Sequence, residues 1–285
     1  MIDFHIHSSA SDGTESPAWL VETARNTGIN SIALTDHDTV SGVKSFLEAG
    51  KTFGVKTVPG VEISTWYRSK EIHIVGLFID PEYPQLVSFL ESMRLERKMR
   101  NRKIIQKLQS LGYEITEDEV AELAGGESLG RPHIARLLIE KHYFSEIQDV
   151  FDVLLKRGGK GYIPRMLAPP ETACSIIHNA GGIAIWAHPV SGYQTGERAF
   201  LRKMLKVLMF SGIDGIETRY SSYTPFQSEL LDEMADKYSL LKSGGSDFHG
   251  KNRPSVNLGT GTGGLIVPDH YSDAIESFLQ KRNQA

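Results

Sequence analysis

His5 and His7 stand two apart in Ile2-Asp3-Phe4-His5-Ile6-His7. In an extended strand, residues two apart project to the same side, so both imidazoles face one way and Phe4 and Ile6 the other. Neutral imidazole is a common metal ligand, and two held side by side make the first half of a site. Taken alone, the pair is equally compatible with two histidines on the polar face of an edge strand. The rest of the chain decides. Asp12 precedes Gly13 in the following loop, and His37 falls in Asp36-His37-Asp38. Glu62, His73, His188 before Pro189, and Asp247 with His249 come later. All nine lie in or just after expected strands, and they include six of the ten histidines. Histidine and carboxylate without thiolate suit Mn, Zn, Fe or Ni rather than a soft-metal or iron–sulfur site. Nine ligands are too many for one ion, so two or three ions with a bridging carboxylate are implied. Clustered ions fit phosphoester hydrolysis: one lowers the pKa of a bound water to give hydroxide, and another neutralises the leaving oxygen.

These residues need a scaffold that gathers strand ends. Ser16-Pro17 marks a helix start, and the helix runs to about Thr27 before Gly28. Ser31–Thr35 reads as a strand and Ser41–Phe53 as a helix closed by Gly54. Val55–Ile63 and Ile72–Phe78 read as strands carrying Glu62 and His73. After the region around Pro81 to Lys160, the alternation resumes. Pro170–Asn179 is a helix, Gly182–Ala187 a strand, Glu197–Phe210 a helix and Asp214–Glu217 a strand. Pro225–Tyr238 is a helix, Leu240–Ser243 the last strand, and Tyr271–Lys281 a final amphipathic helix. Alternating strands and helices imply an α/β architecture with a largely parallel sheet, and about seven strands imply a closed or nearly closed barrel with its active face at the strand C-termini.

Between these halves, Pro84–Leu111 reads as one long helix ended by Gly112, followed by shorter ones at Thr116–Leu123, Pro132–Lys141 and Ser145–Leu155. The barrel is thus expected over residues 1–80 and 162–285, with 81–161 a helical insertion forming a cap. Arg131 and His133 flank Pro132 at a helix start, where an arginine fork beside free N–H groups makes a phosphate site. Lys160 and Tyr162 in the glycine-rich exit are candidates for a second phosphate and a stacked base. Arg97 and Arg100 share a face of the long basic helix and are candidates to meet an incoming phosphate, although such runs are usually solvated.

The formal charge of −4 argues against a general polyanion-coating surface, so any phosphate affinity must be local. A single cysteine, Cys174, excludes an internal disulfide framework and reads as a small buried residue of a helix in a reducing, cytoplasmic protein. No apolar run approaches the roughly 20 residues that span a bilayer, and no basic and apolar leader opens the chain.

The motifs resemble those of the polymerase-and-histidinol-phosphatase (PHP) family in their order. They are His5-x-His7 with Asp12-Gly13, Thr35-Asp36-His37-Asp38, Gly60-Val61-Glu62, His73-Ile74-Val75-Gly76, Ala187-His188-Pro189 and Gly245-Ser246-Asp247-Phe248-His249. The resemblance implies a distorted seven-stranded (β/α)7, TIM-like barrel with a trinuclear centre. It assigns one ion to His5, His7, Glu62 and Asp247, a second to Glu62, His73 and His188, and a third to Asp12, His37 and His249. The insertion and Gly130-Arg131-Pro132-His133-Ile134-Ala135-Arg136 resemble the small stand-alone members that remove the 3′-phosphate of 3′,5′-nucleoside bisphosphates or degrade short RNA or DNA from the 5′ end. One departure is Arg219-Tyr220-Ser221-Ser222-Tyr223, where Tyr223 takes the place of a histidine.

The expected function is hydrolysis of a terminal nucleotide phosphate, foremost the 3′-phosphate of a 3′,5′-bisphosphate, with two or three Mn, Zn or Fe ions as cofactors. Asp247 and His249 are the candidates to shuttle protons. The alternatives are a 5′→3′ exonuclease on short RNA or DNA, a histidinol-phosphate-type phosphatase, and more remotely a non-catalytic metal-binding module. The expected partners are a nucleotide or short oligonucleotide, with no membrane and no obligate protein partner.

Overall fold

The computed structural model describes residues 1–68, 70–124, 130–165, 167–190 and 198–284. They form two compact units, Met1–Phe89 with Ala168–Ala285, and Leu90–Leu167. The start of the helix expected from Glu197 lies outside the described residues.

Seven strands of the first unit form one sheet in chain order: β1 Ile2–Ile6, β2 Ser31–Leu34, β3 Lys56–Tyr67, β4 Lys70–Leu77, β5 Ile183–Trp186, β6 Gly215–Tyr220 and β7 Leu241–Gly245. The chain beyond β7 returns beside β1. Asp247 N–H donates to the His5 carbonyl at 2.8 Å and His7 N–H to the Phe248 carbonyl at 3.0 Å, so the barrel is nearly closed. Around it lie α1 Pro17–Thr27 and α2 Val43–Phe53, and the long α3 Pro84–Ser110 leads into the second unit. That unit continues with α4 Glu117–Ala124, α5 Arg131–Glu140, the short α6 Ile147–Val150 and a π-helical turn at Phe151–Leu155. The first unit then resumes with α7 Pro170–Asn179, α8 Arg198–Ser211, α9 Pro225–Lys237 and α10 His270–Gln284. The end signals act as read: the Ser16 side chain accepts from Trp19 N–H, and Gly28 closes α1 at φ 74°, a left-handed conformation that favours glycine.

The sheet is less parallel than the sequence implies. β4 pairs antiparallel with both β3 and β5, whereas the other neighbours are parallel. Only two residues separate β3 from β4, too few for the crossover that a parallel pair needs. Both strands are also longer on the hairpin side than their apolar runs, reaching Tyr67 and starting at Lys70.

Strict alternation also fails on β1. Its register against β2 gains one residue between Asp3 and Ile6, a bulge of the kind that re-aims side chains. Phe4 therefore packs with Ile2, Val75, Leu77, Ile185 and Tyr271, while Ile6 packs with Leu20, Leu34 and Phe46 beneath α1 and α2. The second unit has its own core, in which Ile104 and Leu108 of α3 meet Val120, Ile134, Leu138 and Leu154. Each fully buried aliphatic side chain contributes about 1.5–3 kcal/mol, and both units hold an apolar centre of their own. Cys174 on α7 is fully buried, and burial, with Asp214 and Glu171 nearby, pushes its thiol up to about 12.

Two buried carboxylates clamp the barrel around β1. Asp3 accepts Ser246 N–H at 2.8 Å, the Ser246 hydroxyl at 2.6 Å and Gly259 N–H at 2.8 Å, tying β1 to the segment after β7. Asp36 accepts Ser8 N–H and the Ser8 hydroxyl at 2.7 Å each and the Ser11 hydroxyl at 2.6 Å, tying the end of β2 to the loop after β1. Burial outweighs these hydrogen bonds and pushes both carboxyls up to about 6. Because the folded value is raised, each group's contribution to stability is complete below about pH 4 and is lost as pH rises through about 6. Carbon-13 NMR titration of the metal-free protein should place both carboxyl midpoints near 6; midpoints near the ordinary 3.8 contradict this assignment.

Candidate metal centre

His5 lies within the bulge on β1 and His7 just after it; their rings are 5.2 Å apart and fully buried. Glu62 on β3 lies between them and the rest of the cluster. Its Oε2 is 3.4 Å from Nε2 of both His5 and His7 and 2.8 Å from His37 Nδ1. Its Oε1 is 2.8 Å from His73 Nδ1 and 2.9 Å from His188 Nε2. Asp247 Oδ1 approaches His7 Nε2 at 3.1 Å and His5 Nε2 at 3.6 Å. Asp12 reaches His249 Nε2 at 3.3 Å, with His37 Nε2 and His7 Nδ1 each at 3.8 Å. All nine side chains singled out from the sequence thus meet at one end of the barrel.

Among the described residues, four groups place one donor atom each within 4.8 Å of one another: His7, Asp12, His37 and His249; His5, His7 and Asp247; His5, Glu62 and His188; and His37, Glu62 and His73. Glu62 is thus shared, as the resemblance implies, but His73 and His188 fall in separate groups rather than together. His7 also joins the Asp12 group, which the resemblance assigns to other residues.

Antiparallel β4 explains the place of His73. The strand enters from the site end, so the ligand candidate lies near its start instead of its finish. His188 and Asp247 occupy positive φ, 31° and 55°, conformations that persist only where surroundings dictate them and that concentrate at functional sites.

Charge in the cluster follows from burial and proximity. Burial favours a protonated Glu62, but His37, His73 and His5 outweigh it and hold the carboxyl well below the usual range. Asp247 and Asp12 behave alike, burial being overcome mainly by His249 and His5 for the first and by His37 and His249 for the second. His7 goes the other way: burial, then repulsion from His249 and His37, lowers it to about 3, so its ring is neutral. Two buried carboxylates and the partly exposed Asp12 thus converge with an uncharged imidazole, a donor set made for cations.

The fit is tested by the polar atoms left over. His5 Nε2, both ring nitrogens of His7, His37 Nδ1 and Glu62 Oε2 are buried and make no well-aligned hydrogen bond, although Glu62 Oε2 lies 2.8 Å from His37 Nδ1 and His7 Nε2 3.1 Å from Asp247. Leaving such a group unsatisfied costs about 1–3 kcal/mol, so five in one cluster need a common partner. Divalent cations fit that need, because every one of these atoms is a metal donor.

Sequence reading passed over the support beneath the donors. Glu217 on β6 is fully buried; its Oε1 is 2.7 Å from His5 Nδ1, and its Oε2 accepts His188 N–H at 2.5 Å. A carboxylate on Nδ1 keeps the proton there and leaves Nε2 to face Glu62 and Asp247. Tyr220 donates its hydroxyl to Asp247 Oδ2 at 2.6 Å, and Arg253 pairs with the same oxygen. His249 Nδ1 lies 2.8 Å from the Asp247 carbonyl, which turns its Nε2 toward Asp12. Tyr223, the departure from the family pattern, has its ring 5.2 Å from Tyr220. The one signal for Glu217 was a carboxylate at a strand end, the criterion that picked the others.

The substrate-binding candidates all lie in the second unit. Arg131 begins α5 with its guanidinium 5.9 Å from the Phe151 ring and 3.4 Å from the Leu155 carbonyl. His133 is buried, and its Nδ1 accepts Gly130 N–H at 3.1 Å, closing the first turn of α5. Arg100 donates to the Ile163 carbonyl at 2.8 Å and lies 5.8 Å from the Tyr162 ring. Lys160 is exposed.

The PHP domain family matches residues 3–163. A 5′-3′ exoribonuclease of Haemophilus influenzae is 38% identical over 247 residues, 87% of this chain and 89% of the relative. A 3′,5′-nucleoside bisphosphate phosphatase of Chromobacterium violaceum is 32% identical over 259 residues, 90% of each chain. The crystal structure of a Bifidobacterium adolescentis protein assigned as a metal-dependent phosphoesterase superposes with a TM-score of 0.84 at 29% identity, covering 97% of this chain and 95% of that one.

Glu217→Gln should weaken Mn²⁺ or Zn²⁺ affinity about 10- to 100-fold in a chelator competition, with an unchanged circular dichroism spectrum. Unaltered affinity contradicts the orienting role.

Proposed function

The chain belongs to the PHP domain family and is a metal-dependent phosphoesterase, and we propose that it removes the terminal 3′-phosphate of a 3′,5′-nucleoside bisphosphate. The observation that carries this reading is the set of buried, unpartnered donor atoms around Glu62. By the family pattern, His5, His7, Glu62 and Asp247 would hold one ion, Glu62, His73 and His188 a second, and Asp12, His37 and His249 a third, with His188 grouped beside His5 and His73 beside His37 around Glu62 in this structure. Bound divalent ions supply Lewis acidity, lowering the pKa of water and offsetting charge on phosphoryl oxygens. Mn, Zn and Fe all suit the donor set.

The chain's own residues do the rest. Glu217 fixes the ring of His5, and Tyr220 with Arg253 fixes Asp247, so the donors are preorganised instead of recruited. His249 and Asp247 are the proposed groups to move a proton at the leaving oxygen once released from a cation. From the sequence pattern of the insertion, Arg131 is the proposed guanidinium for the second phosphate, with Arg100, Lys160 and Tyr162 as further candidates. His133 acts on that site through the first turn of α5, since its Nδ1 is engaged by Gly130.

A second reading is favoured by the higher identity to the exoribonuclease: removal of nucleotides from the 5′ end of short RNA. Both reactions cleave a phosphoester next to another phosphate, so one centre can serve both. Purified protein with Mn²⁺ should release phosphate from adenosine 3′,5′-bisphosphate faster than from histidinol phosphate. Preferred release of mononucleotides from 5′-phosphorylated RNA would put the second reading first.

Arg131→Ala should lower kcat/KM for the bisphosphate about 10- to 100-fold, as expected for losing a charge-assisted contact, and leave a simple phosphate ester unaffected. Equal losses on both substrates would contradict the two-phosphate arrangement.

A further inference from the structure

β4 and β5 run side by side beyond the centre, with Ile74 opposite Trp186 and the Ala187 N–H donating to the His73 carbonyl at 3.0 Å. This pairing sets His73 and His188 next to each other, their rings 5.1 Å apart. Above the strands, Phe200 and Met204 stand one turn apart on the same face of α8. Between helix and strands lies a cavity of about 440 Å³, walled by Ile72, His73, Trp186, His188, Phe200 and Met204. Its size falls in the range of roughly 300–1,000 Å³ typical of small-molecule sites. His73 and His188 are common to this cavity and to the cluster, each reaching Glu62 Oε1 within 2.9 Å.

Resting on the phosphoesterase reading, we propose that this cavity is the subsite for the organic group of the substrate and takes a flat heteroaromatic base. A phosphoryl group at Glu62 has His73 and His188 beside it, so a substituent on that side enters the cavity. Its walls are mixed, polar along Lys70, Glu71 and the two histidines and apolar along Ile72, Trp186, Met204 and the partly buried ring of Phe200. Lys70 Nζ lies 4.0 Å from the Phe200 centroid, a cation–π contact that holds the ring in place. Besides the two histidines, the charged side chains in the lining are Lys70 and Glu71, one of each sign. That balance disfavours a second phosphate dianion and favours an uncharged ring with donors and acceptors at its edge. Stacking on Phe200 supplies affinity.

The test compares phosphate release from adenosine 3′,5′-bisphosphate and from the abasic ribose bisphosphate, in wild type, Phe200→Ala and Phe200→Trp. Base stacking is worth enough that wild-type KM should be about 5- to 100-fold higher for the abasic compound. Phe200→Ala should raise KM for the nucleotide to the abasic level with kcat little changed, and Phe200→Trp should restore it. Equal wild-type KM values, or equal effects of Phe200→Ala on both substrates, overturn the subsite while leaving the phosphoesterase reading intact. Saturation-transfer NMR provides a readout without turnover: adenosine base protons should receive saturation from wild type and ribose protons should not. If neither bisphosphate is hydrolysed but adenosine binds and Phe200→Ala abolishes the transfer, the substrate reading fails and the subsite stands. If Phe200→Ala does not fold, the wild-type contrast between adenosine and ribose decides; no contrast overturns the proposal.

Discussion

Glu62 is a carboxylate with no exposed surface, and both of its oxygens face imidazoles. Burying an ionised carboxyl is costly unless opposite charge accompanies it, and in this barrel the company is five histidines and, by the donor set, cations. The rest of the first unit can be understood as what is required to bring those partners to Glu62. β1 brings two histidines through a bulge, β4 brings one by running backward, and the turns after β5 and β7 bring others at positive φ. Each is a local departure from regular geometry, and each is located where a donor has to be aimed.

A second layer holds the donors. Glu217 grips His5 and the His188 peptide, Tyr220 and Arg253 share one oxygen of Asp247, and Asp3 and Asp36 bind the segments that carry the others. These groups meet their hydrogen-bonding needs within the protein. Five atoms of the inner donors, on His5, His7, His37 and Glu62, do not, which separates a preformed ion site from an ordinary buried polar network. The contrast is useful because the two layers hold similar residue types and differ only in whether their valences are filled.

Much of this was legible in the sequence. The nine donors were marked by being histidine or carboxylate at strand ends, and Gly28, Gly54 and Ser16-Pro17 set the helices they border. The direction of β4 was not legible in its apolar run, which reads the same either way; the two-residue gap after Tyr67 was the available clue. Phe4 was assigned to the wrong face because alternation hides a bulge until the neighbouring strand fixes the register. Glu217 was missed although it ends its expected strand, because a carboxylate serving a histidine has the same sequence signature as one serving a metal. The cavity under α8 joins residues more than a hundred positions apart and has no linear pattern at all.

The central claim is that imidazoles and carboxylates at this end of the barrel share a small group of cations. Anomalous diffraction from crystals grown with Mn²⁺ tests it most directly. The account predicts at least two separate peaks, one bordered by Glu62 and Asp247 and another by Asp12, His37 or His249. Metal bound elsewhere on the chain, with none beside Glu62, would contradict it.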